Sequence, residues 1–278
     1  MTQKTPVSPD ATPVIIAGAP RSGTTFLTTA LNTHPQVMVT NELRAWILFN
    51  DVRRKTHKPS EALPDHPLRA RFRKAMLAQF ATLFVDFYTQ EVTKADLGCP
   101  AGNGASVEPV IKAYGDKNPS YADSNSKGCM EFIARALERA KFIHIHRDPR
   151  SCAASYKHVP IYADKVERWT HIWLRHTQTM IDLRDALGAD RVLQFAYEDF
   201  VTAKGDDIFR KIEAHIGVDA AAEPLAFLKR ERSTPTPYRA PSTPRDKLGR
   251  NTYADRLTKA ELDAVNQACG STMKALGY

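Results

Sequence analysis

Residues 18–25 read Gly18-Ala-Pro-Arg21-Ser22-Gly23-Thr24-Thr25, directly after the apolar run Val14-Ile-Ile-Ala17. A β-branched run, a tight glycine-bearing turn and a helical pattern in succession aim backbone N–H groups and a helix N-terminus at an anion. Gly18 and Gly23 keep the spacing of the phosphate loop GxxxxGK[ST]. Thr24, however, stands where that loop carries the Lys that reaches the β/γ-phosphates. Arg21 lies inside the turn instead. The segment suits phosphate, but not ordinary ATP or GTP chemistry.

Two further segments carry reactive types. In Lys141-Phe-Ile-His-Ile-His-Arg147-Asp-Pro149, an apolar strand pattern ends at Arg147, and Pro149 suits the first turn of a helix that reaches Ser155. Arg147 presents a planar fork for phosphate oxygens, and the Ser155 hydroxyl can donate to the same group. A strand-end Arg that merely caps a sheet is the equal alternative. In Tyr114-Gly-Asp-Lys117-Asn-Pro119, a strand runs into a turn holding one Lys. Such a Lys can point a mobile charge into a ligand crevice; taken alone, it is an ordinary turn lysine.

These loops need a scaffold. Strand patterns are expected at residues 14–18, 37–39, 110–114, 141–146 and 191–197, several of them short, apolar and β-branched. Helical patterns are expected at 25–32, 42–54, 68–92, 125–139, 150–156, 166–187, 206–216 and 258–276. The alternation predicts an α/β chain: a three-layer, P-loop-like fold with a central, mainly parallel sheet flanked by helices. Ligands of such sheets bind at the carboxyl ends of strands, which singles out the loops after Gly18, Tyr114 and His146. Residues 1–12 read as a flexible tail and 13–278 as a single domain, since no Pro/Gly/Ser-rich linker divides them. Residues 96–109 and 233–250 show no clear pattern.

Composition narrows the partners. The formal charge of +8 suits anionic ligands, yet Lys and Arg recur along the whole length. No basic stripe or nucleic-acid module stands out, so no nucleic-acid partner is expected. No apolar run approaches the roughly 20 residues of a membrane span. Cys99, Cys129, Cys152 and Cys269 form no CxxC and no zinc spacing, and read as reduced thiols of a cytoplasmic protein. His144 and His146 alternate along a strand and face one side, with no metal logic.

Taken together, the three segments resemble the sulfotransferases that use 3′-phosphoadenosine 5′-phosphosulfate (PAPS), closest to the tyrosylprotein and bacterial branches. Pro20-Arg-Ser-Gly-Thr-Thr25 resembles their 5′-phosphosulfate loop, Arg147 with Ser155 their 3′-phosphate motif, and Asp-Lys117-Asn-Pro the turn whose Lys serves the transferring group. Tyr197-Glu-Asp-Phe200, Lys247-Leu-Gly-Arg250 and Ala275-Leu-Gly-Tyr278 resemble later family segments. The resemblance implies sulfuryl transfer from PAPS to a hydroxyl or amine, with adenosine 3′,5′-bisphosphate (PAP) as product and no metal required. It implies catalytic roles for Arg21, Lys117 and Glu42. It also implies donor contacts from Arg21, Ser22, Gly23, Thr24, Thr25, Phe26, Arg147, Ser155, Tyr197, Lys247 and Arg250. Phe26 stands where relatives place an aromatic against adenine; a core Phe is nearly as good a reading.

The base has two candidates. In the resembling branches a Glu lies 21 residues beyond the loop Arg, and position 42 is Glu42. A carboxylate opening a helix is the plain alternative. Lys55-Thr-His57-Lys-Pro59 imitates the signature in which cytosolic sulfotransferases carry a catalytic His, but it ends a helical pattern rather than following a strand. Glu42 is therefore preferred, with His57 as rival. A P-loop kinase or nucleotidase, and a non-catalytic anion-binding module, are the competing functions. Carbohydrate, lipid, peptide tyrosine and small metabolite stay open as acceptors, shaped by residues 57–110; oligomeric state is equally open.

Overall fold

The computed structural model describes residues 6–57, 67–98, 109–123, 128–157, 166–233 and 253–278. Five strands form one sheet in the order β2-β3-β1-β4-β5: β1 (Val7–Ala17), β2 (Val37–Asn41), β3 (Ile111–Lys117), β4 (Lys141–His146) and β5 (Val192–Ala196). Every neighbouring pair is parallel, as expected for strands buried on both faces.

Alternation along each strand feeds two apolar layers. In β1, Val14 and Ile16 face a cluster with Leu27, Leu31, Phe200, Phe209 and Ile212. Ile15 and Ala17 face the other, with Trp46, Phe84, Tyr88, Tyr114 and Met180. The first layer is covered by α1 (Thr24–Asn32), α7 (Tyr197–Phe200), α8 (Gly205–Ile216) and α9 (Glu223–Ser233). The second is covered by α2 (Ala45–His57), α3 (Pro67–Asp86), α4 (Cys129–Ala136) and α6 (Val166–Leu187). A third cluster joins α5 (Pro149–Tyr156) and α6 to α10 (Lys259–Ala275), which starts with a full Thr258/Glu261 capping box.

Several boundaries differ from the sequence expectation. Residues 7–12, read as part of a flexible tail, extend β1: Ile111 donates its N–H to Pro6 O at 2.8 Å, and the register shifts between Val7 and Thr12. Strand β3 runs on to Lys117, so that residue ends a buried strand rather than sitting in a turn. Helix α2 starts at Ala45, leaving Glu42 in the link before it. Helix α9 was not foreseen; its Phe227 and Leu228 fill the first layer from a segment of mixed charge. On α3, Phe80 and Phe84 pack into the core with Trp46 and Phe49, whereas Phe72 is exposed. Cys129, Cys152 and Cys269 are buried free thiols, and Cys99 lies outside the described residues. Among the described residues, no helix is long and apolar enough to cross a membrane.

Candidate active site

The loop between β1 and α1 is held by its backbone. Ser22 donates its N–H to Ala19 O at 3.1 Å, closing the turn. Arg21 (φ 71) and Gly23 (φ 92) both take left-handed conformations. Gly23 has a steric reason besides: a Cβ there would lie 2.3 Å from the Tyr197 ring. A non-glycine residue in this region costs of order 1–3 kcal/mol, and such strain clusters at ligand-binding loops. Gly23 is also the N-cap of α1, so no side chain covers the helix's first amides. Those orphan donors and the helix dipole favour an anion.

Strand β4 and helix α5 deliver the second element. Asp148, buried, caps α5 by accepting from the Arg150 N–H at 2.8 Å. The capped helix carries Ser155 back to the loop, where Arg21 Nε donates to Ser155 Oγ at 3.0 Å. Arg147 donates through a terminal guanidinium nitrogen to the Arg21 carbonyl at 3.1 Å. Its guanidinium carbon lies 4.6 Å from the centroid of the Tyr197 ring, a cation–π contact. Its Nε is buried without a hydrogen-bond partner among the described residues. An orphaned guanidinium donor and an uncapped helix N-terminus both suit an anion such as phosphate.

The third element follows from strand register. Lys117 pairs with Ile16 of β1 and with Asn41 of β2. Its ammonium therefore emerges where the chain leaves both neighbours. It donates to Thr25 Oγ1 at 3.2 Å and to Glu42 Oε1 at 2.8 Å. The Lys117 side chain is 1% exposed and that of Glu42 53%, so the pair joins a buried cation to a carboxylate open to solvent. Glu42 (φ 62) and Arg44 (φ 63) are left-handed, and the Glu42 N–H donates to Lys117 O at 2.7 Å.

Asp116 went unread in the sequence. It is buried, and accepts from Tyr121 Oη at 2.5 Å, Thr40 Oγ1 at 2.7 Å and the Leu43 N–H at 3.2 Å. Burial pushes its carboxyl up to about 6, against the pull of those hydrogen bonds. A carboxylate inside an otherwise apolar strand pattern was the available signal, since Asp is rarely buried without a purpose. A second unforeseen network ties the chain end to the site. Tyr278 Oη lies 2.8 Å from His146 Nδ1 and donates to Glu198 Oε2 at 3.1 Å, while Glu198 Oε1 accepts from the Asp148 N–H at 3.1 Å.

The structure thus brings Arg21, Gly23, Arg147, Ser155 and Tyr197 to one end of the loop, and Thr25, Lys117 and Glu42 to the other. Ser22 and Thr24 also lie in it, with buried side chains. Phe26 is half-buried and packs against Phe200 and Phe227, with centroids 5.9 and 5.7 Å away. His57 is the last residue of α2. Lys247 and Arg250 lie outside the described residues; Tyr253, just beyond them, has the Arg150 guanidinium 4.6 Å from its ring centroid. Among the described residues, no group of three or more His, Cys, Asp or Glu is placed to hold a metal.

The profile of the sulfotransferase family matches residues 13–222, a span holding the loop, Lys117, Glu42, Arg147 and Ser155. Among solved structures, the chain is similar to the sulfotransferase domain of the olefin synthase of Synechococcus PCC 7002, at 22% identity and a TM-score of 0.57, covering 98% of this chain and 97% of that one. It is similar to the sulfotransferase domain of the curacin biosynthetic pathway, at 16% identity and a TM-score of 0.54, covering 99% and 93%. It is also similar to the sulfotransferase STF9 of Mycobacterium avium, at 16% identity and 0.51, covering 97% and 78%. No curated protein matches.

Proposed function

Because this chain belongs to the sulfotransferase family, we propose that it moves a sulfuryl group from PAPS to a hydroxyl or amine acceptor, with Glu42 as general base. The observation that carries the reading is the Lys117–Glu42 contact of 2.8 Å at the Thr25 end of the loop, opposite the Arg21–Ser155 contact of 3.0 Å at the other. One nucleotide with anionic groups on both sides of its ribose would meet both ends.

Sulfuryl transfer needs an in-line approach and positive charge where charge develops, with little covalent work for the protein. The uncapped amides at the start of α1 would hold the 5′-phosphosulfate. Arg147 and Ser155 would read the 3′-phosphate, joined by Arg250 and Lys247, and Tyr197 would brace Arg147. The acceptor's oxygen or nitrogen attacks sulfur, and its proton passes to the Glu42 carboxylate. The bond between sulfur and the bridging oxygen breaks, and the electron pair stays on the 5′-phosphate of PAP. Arg21 and Lys117 would stabilise that departing oxygen. Lys117 neutralises Glu42 across 2.8 Å, so a donor that shared the ammonium would leave the carboxylate freer to take a proton. The reading also keeps Phe26 as the aromatic for adenine, and a cytoplasmic setting suited to free thiols.

The test is isothermal titration with PAP and AMP, followed by sulfate transfer from labelled PAPS across phenols, alkyl alcohols, sugars and amines. PAP is expected to bind at least about tenfold tighter than AMP, as one charge-assisted phosphate site would require. Equal binding of the two, or Mg²⁺-dependent ATP turnover in place of transfer, sinks the proposal.

A further inference from the structure

We propose that Asp116 is a positioning residue for Glu42, whose buried carboxylate tethers the link between β2 and α2 through the Leu43 amide. The inference rests on the reading of Glu42 as the base.

The link from residue 42 to residue 44 has reason to move. Glu42, Leu43 and Arg44 are all exposed, and two of the three hold left-handed backbone at non-glycine positions. Such a conformation persists only where its surroundings over-determine it. Two consecutive residues of β3 supply the restraint. The carbonyl of Lys117 accepts the Glu42 N–H at 2.7 Å, and the carboxylate of Asp116 accepts the Leu43 N–H at 3.2 Å. Lys117 then meets the Glu42 carboxylate with its own ammonium. The base is thus gripped at its own amide, at the next amide and at its side chain, all from one strand end.

Asp116 is itself fixed from two other elements. Thr40 on β2 donates to Oδ1 at 2.7 Å, and Tyr121 on the turn after β3 donates to Oδ2 at 2.5 Å. Behind Thr40 stands the buried Tyr88 hydroxyl, 2.5 Å from both Thr40 Oγ1 and the Gly115 carbonyl. Three donors converging on one carboxylate set its angle as well as its position. Two of its donors belong to the scaffold, and the third is the amide beside the proposed base.

The experiment compares wild type with Asp116→Ala and Asp116→Asn at pH 8. Hydrogen exchange is followed in the peptide spanning residues 40–48, PAP affinity by titration, and turnover with labelled PAPS and the acceptor that wild type uses. In Asp116→Ala, exchange at residues 42–44 is expected to rise while α1 stays protected. PAP affinity should change less than about twofold, and kcat should fall by roughly 100-fold, as for a reacting group misplaced by about an ångström. Asp116→Asn should recover most of both, because an amide oxygen can still accept from Leu43 and Thr40 while its NH₂ turns to the Tyr121 oxygen. If the alanine variant does not fold, Asp116→Leu with Tyr121→Phe replaces the buried pair by apolar groups and removes the same acceptor. The proposal is overturned if exchange at 42–44 is unchanged, if PAP affinity and kcat fall together, or if Asn fares no better than Ala. If wild type transfers no sulfuryl group at all, the functional reading fails, and hydrogen exchange alone still decides whether Asp116 holds the link.

Discussion

Arg21 Nε donates to Ser155 Oγ at 3.0 Å across 134 positions of sequence. The contact joins the loop after β1 to the helix after β4, the neighbour of β1 in the sheet. Arg147 closes the same corner by donating to the Arg21 carbonyl. The loop after β1 and the strand-end arginine therefore share one corner of the fold. Arg147→Ala is expected to weaken PAP by roughly 10- to 100-fold while AMP weakens far less, the range of one lost charge-assisted hydrogen-bond set. Titration of both nucleotides checks it. Equal losses would mean that Arg147 supports the loop and does not read the 3′-phosphate.

The proposed base has a sharper signature. Glu42→Gln should cut turnover by about 10²- to 10⁴-fold, the usual span for general-base removal, with PAP affinity preserved. Lys117→Ala should also reduce the rate more than donor affinity, because its ammonium touches Glu42 and Thr25. His57→Ala, at the end of α2, should leave turnover intact. Full activity in Glu42→Gln together with loss in His57→Ala would exchange the two assignments.

Two glycines should respond with opposite signs. Gly23→Ala places a Cβ 2.3 Å from the Tyr197 ring at a φ of 92. A loss of about 1–3 kcal/mol in stability is expected from crowding alone, with PAP binding weakened as the loop shifts. Gly270 lies within helix α10 and a Cβ there meets nothing within 4 Å. Gly270→Ala should therefore stabilise by about 0.5–1 kcal/mol. Urea denaturation of the two variants measures both, and equal shifts would contradict the packing described around Tyr197.

Acid should destabilise the fold below about pH 6.5, the ordinary histidine value. Burial lowers His144 to about 3, and His146 and His176 to about 4. Between those values and 6.5, the unfolded chain takes up protons that the folded chain refuses, so stability falls as pH falls. Asp116 works the other way. Its folded value of about 6 exceeds the ordinary aspartate value of 3.8, so its contribution grows as pH drops through 6. Burial also raises Glu198 and lowers His34 and His215, so five histidines oppose two carboxyls, and the histidines outweigh them. Urea midpoints should therefore fall from pH 7.5 to pH 5, and Asp116→Asn should steepen the fall. A midpoint that holds steady or rises toward pH 5 would contradict this balance.

How much of this was legible beforehand depends on the range of each interaction. The strand of residues 141–146, the helix of 166–187, and the strand–loop–helix around Arg21 follow from local pattern, because alternation, turn residues and helical spacing act within a few residues. The order of motifs was enough to name the family, which the match over residues 13–222 bears out. Lys117 was misplaced in a turn because its charge masks a strand end that is buried only once β1 and β2 flank it. Glu42 was misplaced on a helix because nothing local announces that the Lys117 carbonyl holds its amide. Asp116 was overlooked for the same reason: Thr40 and Leu43 lie more than 70 positions away.

What the amino-acid order determined by itself is the parallel α/β framework and the chemical types lining the loop. What only the tertiary structure decided is which of them meet. Parallel register places Asn41 beside Lys117, and that long-range pairing sets the angle at which Glu42 faces the ammonium. Hydrophobic pattern selects a face, but distances between side chains 75 positions apart exist only after the sheet has closed its order.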